Sequence, residues 1–69
     1  MAAKAYRKTE IVGTSSKGFE DAIEVAVAHA RTQWKGLAWF EVSEMRGNLA
    51  GKELEYQVTL KVGYRIIDE

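Results

Sequence analysis

The sequence contains no cysteine and a single histidine among its 69 residues. The first absence removes disulfide staples and thiol nucleophiles, and the two together leave no Cys/His cluster for a zinc site. Charge of one sign is also missing: Lys plus Arg and Asp plus Glu stand at ten each, for a formal net charge of zero. Without excess positive charge, the long-range attraction that draws proteins to nucleic acid or anionic lipid is weak. No apolar run approaches the roughly 20 residues of a membrane-spanning helix. The segment Met1-Ala2-Ala3-Lys4-Ala5-Tyr6-Arg7 lacks the apolar core of a secretion signal. The expectation is a soluble, cytoplasmic protein that binds neither nucleic acid nor membrane.

What is present is one small domain, residues 1–69. Below about 70–80 residues a lone hydrophobic core is marginal, and proteins of this size recruit disulfides, metals or self-association. With the first two removed by composition, self-association is the expected staple.

Lys4 to Val12 reads as a first strand, closed by the turn cluster Gly13-Thr14-Ser15-Ser16-Lys17-Gly18. That cluster matches neither glycine-rich phosphate-binding pattern, so it reads as a turn leading into a helix. Ser15 or Ser16 is the expected N-cap, with Glu20 and Asp21 near the positive end of the helix dipole. Phe19, Ala22, Ile23, Ala26, Val27, Ala30 and Trp34 then recur at helical spacing, and Gly36 follows as a left-handed stop. Val25 and Ala28 fall outside this stripe and point to a second packed surface.

A second strand is expected from Trp39 to Asn48. Plain alternation puts Phe40 and Val42 on one side and Trp39, Glu41, Ser43 and Met45 on the other. After a turn around Leu49 to Lys52, Leu54, Tyr56, Val58, Leu60, Val62, Tyr64 and Ile66 alternate with Glu55, Gln57, Thr59, Lys61, Gly63 and Arg65. This third strand is the clearest signal in the chain. About 14 residues of strand span about 45 Å, whereas a helix of about 18 residues spans about 27 Å. One helix cannot cover such an apolar face, so the sheet either curls around it or meets another subunit. The expected fold is α+β: a β-α-β-β protomer with a three-stranded antiparallel sheet wrapped around one amphipathic helix, in a closed oligomer.

Catalysis has little to work with. His29 lies on the polar side of the helix, Ser15 and Ser16 have no activating neighbour, and Glu41 and Glu44 differ in parity and should face opposite ways. No catalytic residue and no metal ligand set is expected. Trp34 falls on the helix stripe as a core filler, and Tyr6, Tyr56 and Tyr64 read as core or interface residues. Trp39 lies on the side away from Phe40 and Val42, where it is either a subunit-contact anchor or a platform for a flat aromatic ligand. On the polar face, the Gln57 amide offers a donor and an acceptor that suit a pyrimidine-dione edge. Arg46 and Arg65 either hold a phosphate or polar chain or pair with neighbouring glutamates.

Gly13-Thr14-Ser15, Glu20-Asp21-Ala22, Trp39-Phe40-Glu41-Val42, Met45-Arg46-Gly47, Glu55-Tyr56-Gln57-Val58 and Leu60-Lys61-Val62-Gly63-Tyr64-Arg65 together resemble the dodecins. The resemblance spans nearly the whole chain in order and length. It implies a hollow, roughly spherical homododecamer that binds FMN or riboflavin and is not an enzyme. It further implies flavins held in pairs between tryptophans of symmetry-related subunits. Trp39 matches that tryptophan and Gln57 the glutamine at the polar edge of the flavin ring. Arg46 matches a position near the flavin, and Arg65 one associated with phosphate-bearing ligands, including coenzyme A. Trp34 departs from the aliphatic residue usual at its position.

Overall fold

The computed structural model describes residues 3–66; residues 1, 2 and 67–69 of the expected domain lie outside the described residues. Its elements follow in the order strand β1 (Tyr6–Ser15), helix α1 (Phe19–Gln33), strand β2 (Leu37–Asn48) and strand β3 (Glu55–Arg65). The sheet has strand order β1-β3-β2 with both pairings antiparallel. The β-α-β-β topology expected from the pattern is therefore the one found. β3 comes last in the chain and lies in the middle of the sheet. Flanked on both edges, it carries Val58, Leu60 and Val62 into the core, and this central position accounts for its unbroken alternation.

The helix meets the sheet through its smallest residues. Ala22, Ala26 and Ala30, one turn apart, are all buried, with Phe19, Ile23 and Val27 packed beside them. Opposite them, Gly13 continues β1 rather than opening a turn. A Cβ at Gly13 would lie 2.2 Å from the Ala22 carbonyl oxygen and 2.8 Å from the Ala26 Cβ, so only glycine permits this approach. The first strand consequently runs three residues past its expected end at Val12.

That extension also removes the expected serine cap. The N-cap is Gly18, without a side-chain cap bond. Ser15, still in the strand, accepts the Lys17 N–H (2.9 Å) and donates to Asp21 Oδ2 (2.6 Å). The serine thus acts one step removed, steadying a carboxylate in the first helical turn, where the dipole favours negative charge. At the other end Gly36 adopts φ +72°, the left-handed conformation expected of it, and its carbonyl accepts the Arg65 N–H (2.9 Å). Trp34 is not on the helical stripe. It is extended, beyond the last helical residue, and stacks on Tyr64 (centroids 5.6 Å, interplanar angle 13°).

α1 lies over β1 and β3 and leaves β2 largely uncovered. Phe40, Val42 and Met45 remain 46%, 42% and 52% exposed as a result. The described chain is elongated, with extents of 54 × 20 × 16 Å.

Candidate functional site on the outer face of the sheet

The faces of β2 are set by two irregularities. Leu37 pairs with Tyr64 and Trp39 with Gly63; Val42 pairs with Leu60 and Glu44 with Thr59. In each case β2 uses two residues where β3 uses one, so Ala38 and Ser43 are bulged. The Ser43 hydroxyl donates to the Thr59 carbonyl (3.3 Å), tying the extra residue to the partner strand. Each bulge exchanges the two faces of the strand beyond it. Phe40, Val42, Met45 and Gly47 therefore share the helix side, whereas Trp39, Glu41, Glu44, Arg46 and Asn48 share the outer side. Two expectations from plain alternation are overturned: Met45 does not accompany Trp39, and Glu41 and Glu44 face the same way. The bulge also delivers Arg46 to the face that carries Trp39 and Gln57.

Trp39 is seated on the backbone of β3. A Cβ at Gly63 would fall 2.4 Å from Cε2 and Cζ2 of the indole, so the ring occupies the space that a side chain would take. Tyr6, across the sheet on β1, packs against it with centroids 5.1 Å apart at 58°. Tyr6 is thus neither a helix-side core residue nor a bare surface one, as it braces the tryptophan. Trp39 remains 41% exposed, held from below and from one side. Next to it, Lys8 and Glu41 form an ion pair (3.0 Å). The hydrogen bond and charge of Lys8 hold the Glu41 carboxyl below its ordinary value, so it stays ionised and is not poised to carry protons.

A second cluster lies farther along the same face. Arg46 Nε donates to Gln57 Oε1 (2.8 Å), Gln57 Nε2 donates to Glu55 Oε1 (3.0 Å), and Asn48 Nδ2 donates to the same oxygen (3.2 Å). The hydrogen bonds from Gln57 and then Asn48 keep the Glu55 carboxyl below its ordinary value. From the sequence Glu55 was, with Glu41 and Glu44, one of three glutamates that could pair with an arginine; instead Arg46 donates to Gln57, and Glu55 accepts from Gln57 and Asn48.

The four expected ligand residues thus all lie on one face but divide into two groups. Arg65 is cross-strand from Tyr6 and two residues from Gly63, at the Trp39 end; Arg46 and Gln57 are paired at the other. Gln57 is six positions from Gly63 along β3, about 20 Å in an extended strand. No single chain can bring Trp39 and Gln57 to the same small ligand.

Of the two larger hollows, one borders the Gln57 cluster through Asn48 and Glu55 and the other lies beside the helix. One cavity of about 540 Å³ is bordered by Ser16, Asn48, Lys52 and Glu53 at the loops, and another of about 540 Å³ by Ile23, Val27, Ala28 and Phe40 beside the helix. The outer-face site is open, with Trp39 exposed to solvent. Among the described residues no group of three or more potential metal-ligating side chains occurs, and no helix is long and apolar enough to cross a membrane.

Fold and face define a small α+β protein that displays a half-exposed indole and an oriented amide on one side of its sheet and a bare apolar strip on the other. The dodecin family profile matches residues 5–67. A curated dodecin of Thermus thermophilus is 52% identical over 65 residues, covering 91% of this chain and 93% of that protein. A crystal structure of a Thermus thermophilus protein agrees with a TM-score of 0.88 at 47% identity, covering 97% of this chain and all (100%) of the other. Dodecin from Streptomyces coelicolor gives 0.89 at 40% identity with 100% of both chains covered. The chain belongs to the dodecin family.

Proposed function

We propose that this protein is a flavin-sequestering shell: a hollow homododecamer that holds FMN or riboflavin on Trp39 between subunits and carries out no turnover. The observation that carries the reading is the division of the site. Trp39 and Gln57 share a face yet are about 20 Å apart along β3, so a ligand that touches both must lie between copies of the chain.

The residues fit such a ligand. One face of the Trp39 indole is occupied by Gly63, which leaves the other for a flat ring. Stacking against an electron-poor ring adds to the burial of area. After its bonds to Arg46 and Glu55, the Gln57 amide still has one acceptor lone pair and one N–H, the complement of an N–H/C=O edge. A bound flavin supplies absorption and photochemistry, and an indole in contact with it is an electron donor that quenches both emission and reactivity. The described residues supply no poised acid–base pair, which favours storage over catalysis.

The test is a titration of riboflavin or FMN with purified protein, followed by flavin fluorescence. Saturable quenching near one flavin per subunit, lost in Trp39→Ala, is the expected result; unchanged emission at micromolar protein would sink the proposal. Coenzyme A titrated by calorimetry in parallel separates a flavin shell from one that uses Arg65 chiefly to hold a phosphate-bearing ligand.

A further inference from the structure

The Gln57 side chain lies between a cation and an anion. Arg46 donates to its oxygen from β2, and its nitrogen donates to Glu55, two residues back on β3. Rotating the amide by half a turn would set its N–H₂ against the guanidinium and its carbonyl against the carboxylate. Donor would then face donor and acceptor face acceptor, with both charge-assisted bonds lost. Asn48 donates to the same Glu55 oxygen, and its own carbonyl accepts the Ala50 N–H (3.0 Å), so the carboxylate is itself anchored to the β2–β3 connection.

We propose that Glu55, working against Arg46, is a positioning residue that locks the Gln57 amide in one orientation and so sets which ligand edge the site accepts. This rests on the flavin-slot reading above. The locked amide presents its remaining acceptor on the Arg46 side and its remaining donor on the Glu55 side. A ligand must then offer an N–H next to a C=O in that order across the two strands. A cyclic imide edge, such as that of a flavin, satisfies it with the ring pointing one way only, and an N-alkylated imide does not.

Glu55 never has to touch the ligand for this to hold, and the test exploits that. Riboflavin and an N3-methylated flavin are titrated against the wild type, Glu55→Ala and Glu55→Gln, with assembly checked by size-exclusion chromatography. The wild type should prefer riboflavin by about tenfold, as one good hydrogen bond corresponds to roughly 1.4 kcal/mol. Glu55→Ala should lose most of that preference while keeping full Trp39 quenching at saturation. Glu55→Gln should regain it, because its amide oxygen still accepts from Gln57.

Equal preference in the wild type and Glu55→Ala would overturn the proposal. So would an equal loss in both variants, which would mean that the negative charge, not the acceptor, matters. Side-chain ¹⁵N relaxation of the Gln57 N–H₂ without ligand reads the lock directly: an amide as ordered as the backbone in the wild type should become mobile in Glu55→Ala. A locked amide in a protein that binds no flavin would refute the slot reading, and the selectivity with it, while leaving the lock itself in place. An amide that is already mobile in the wild type would refute the lock alone.

Discussion

A tryptophan at the surface of a small domain is expensive unless something holds it, and Gly63 is what holds Trp39. The predicted outcome for Gly63→Ala is a stability loss of about 1–3 kcal/mol, the usual cost of forcing extra volume into a packed site. Denaturant unfolding checks it. In a Trp39→Ala background the same substitution should be nearly neutral, because the atoms it would strike all belong to the indole. Alternation alone distinguished Trp39 as an indole turned away from its own core, and that reading survives. Its seat and brace were not legible: Gly63 and Tyr6 meet it through strand register, which joins residues far apart in sequence. Gln57 was legible as a residue of the outer face for the same reason as Trp39, but its partner Glu55 was hidden among polar neighbours.

At the scale of elements, regular periodicity was readable and interruptions were not. β3 has no bulge, and its faces followed directly from the sequence. β2 has two, and an inserted residue leaves no compositional mark, since Ser43 looks like any polar strand residue. This single insertion explains why the expected places of Met45 and Glu44 were reversed relative to Trp39. Removing Ser43 should restore plain alternation. The predicted result is a folded chain by circular dichroism in which Arg46 still lies opposite Gln57, because Val42 and Glu44 already face consecutive residues of β3, and riboflavin affinity changes by less than about tenfold. A larger loss in that variant would show that the bulge shapes the site through the bend and twist it adds to β2. The first strand was misjudged for the opposite reason: Gly13 carries a turn signal in sequence, yet it is buried where a strand and a helix come closest.

The whole molecule is too open to be self-sufficient. Its Cα radius of gyration is 14.3 Å, against about 11 Å for a compact domain of this length. Its accessible surface is 5222 Å², against about 4,300 Å² for a compact monomer of its mass. The excess is comparable to one side of a standard protein interface. Phe40, Val42 and Met45 are the natural place for such a contact, and the length mismatch between strand and helix had already pointed to it. Val42→Glu, at the centre of that strip, should reduce the particle to a much smaller mass by size-exclusion with light scattering, leaving helix and sheet signals in place. A variant that runs with the wild type would move the interface elsewhere. The strand order carries a further consequence, in time rather than space. Among the described residues β1 and β2 are not paired with each other, and every ladder bond either makes is to β3, which follows both of them in the chain. Until then the emerging chain has no sheet to close, only a helix and two solitary strands. Such long-range pairings form slowly, so the sheet can close only after β3 has been made.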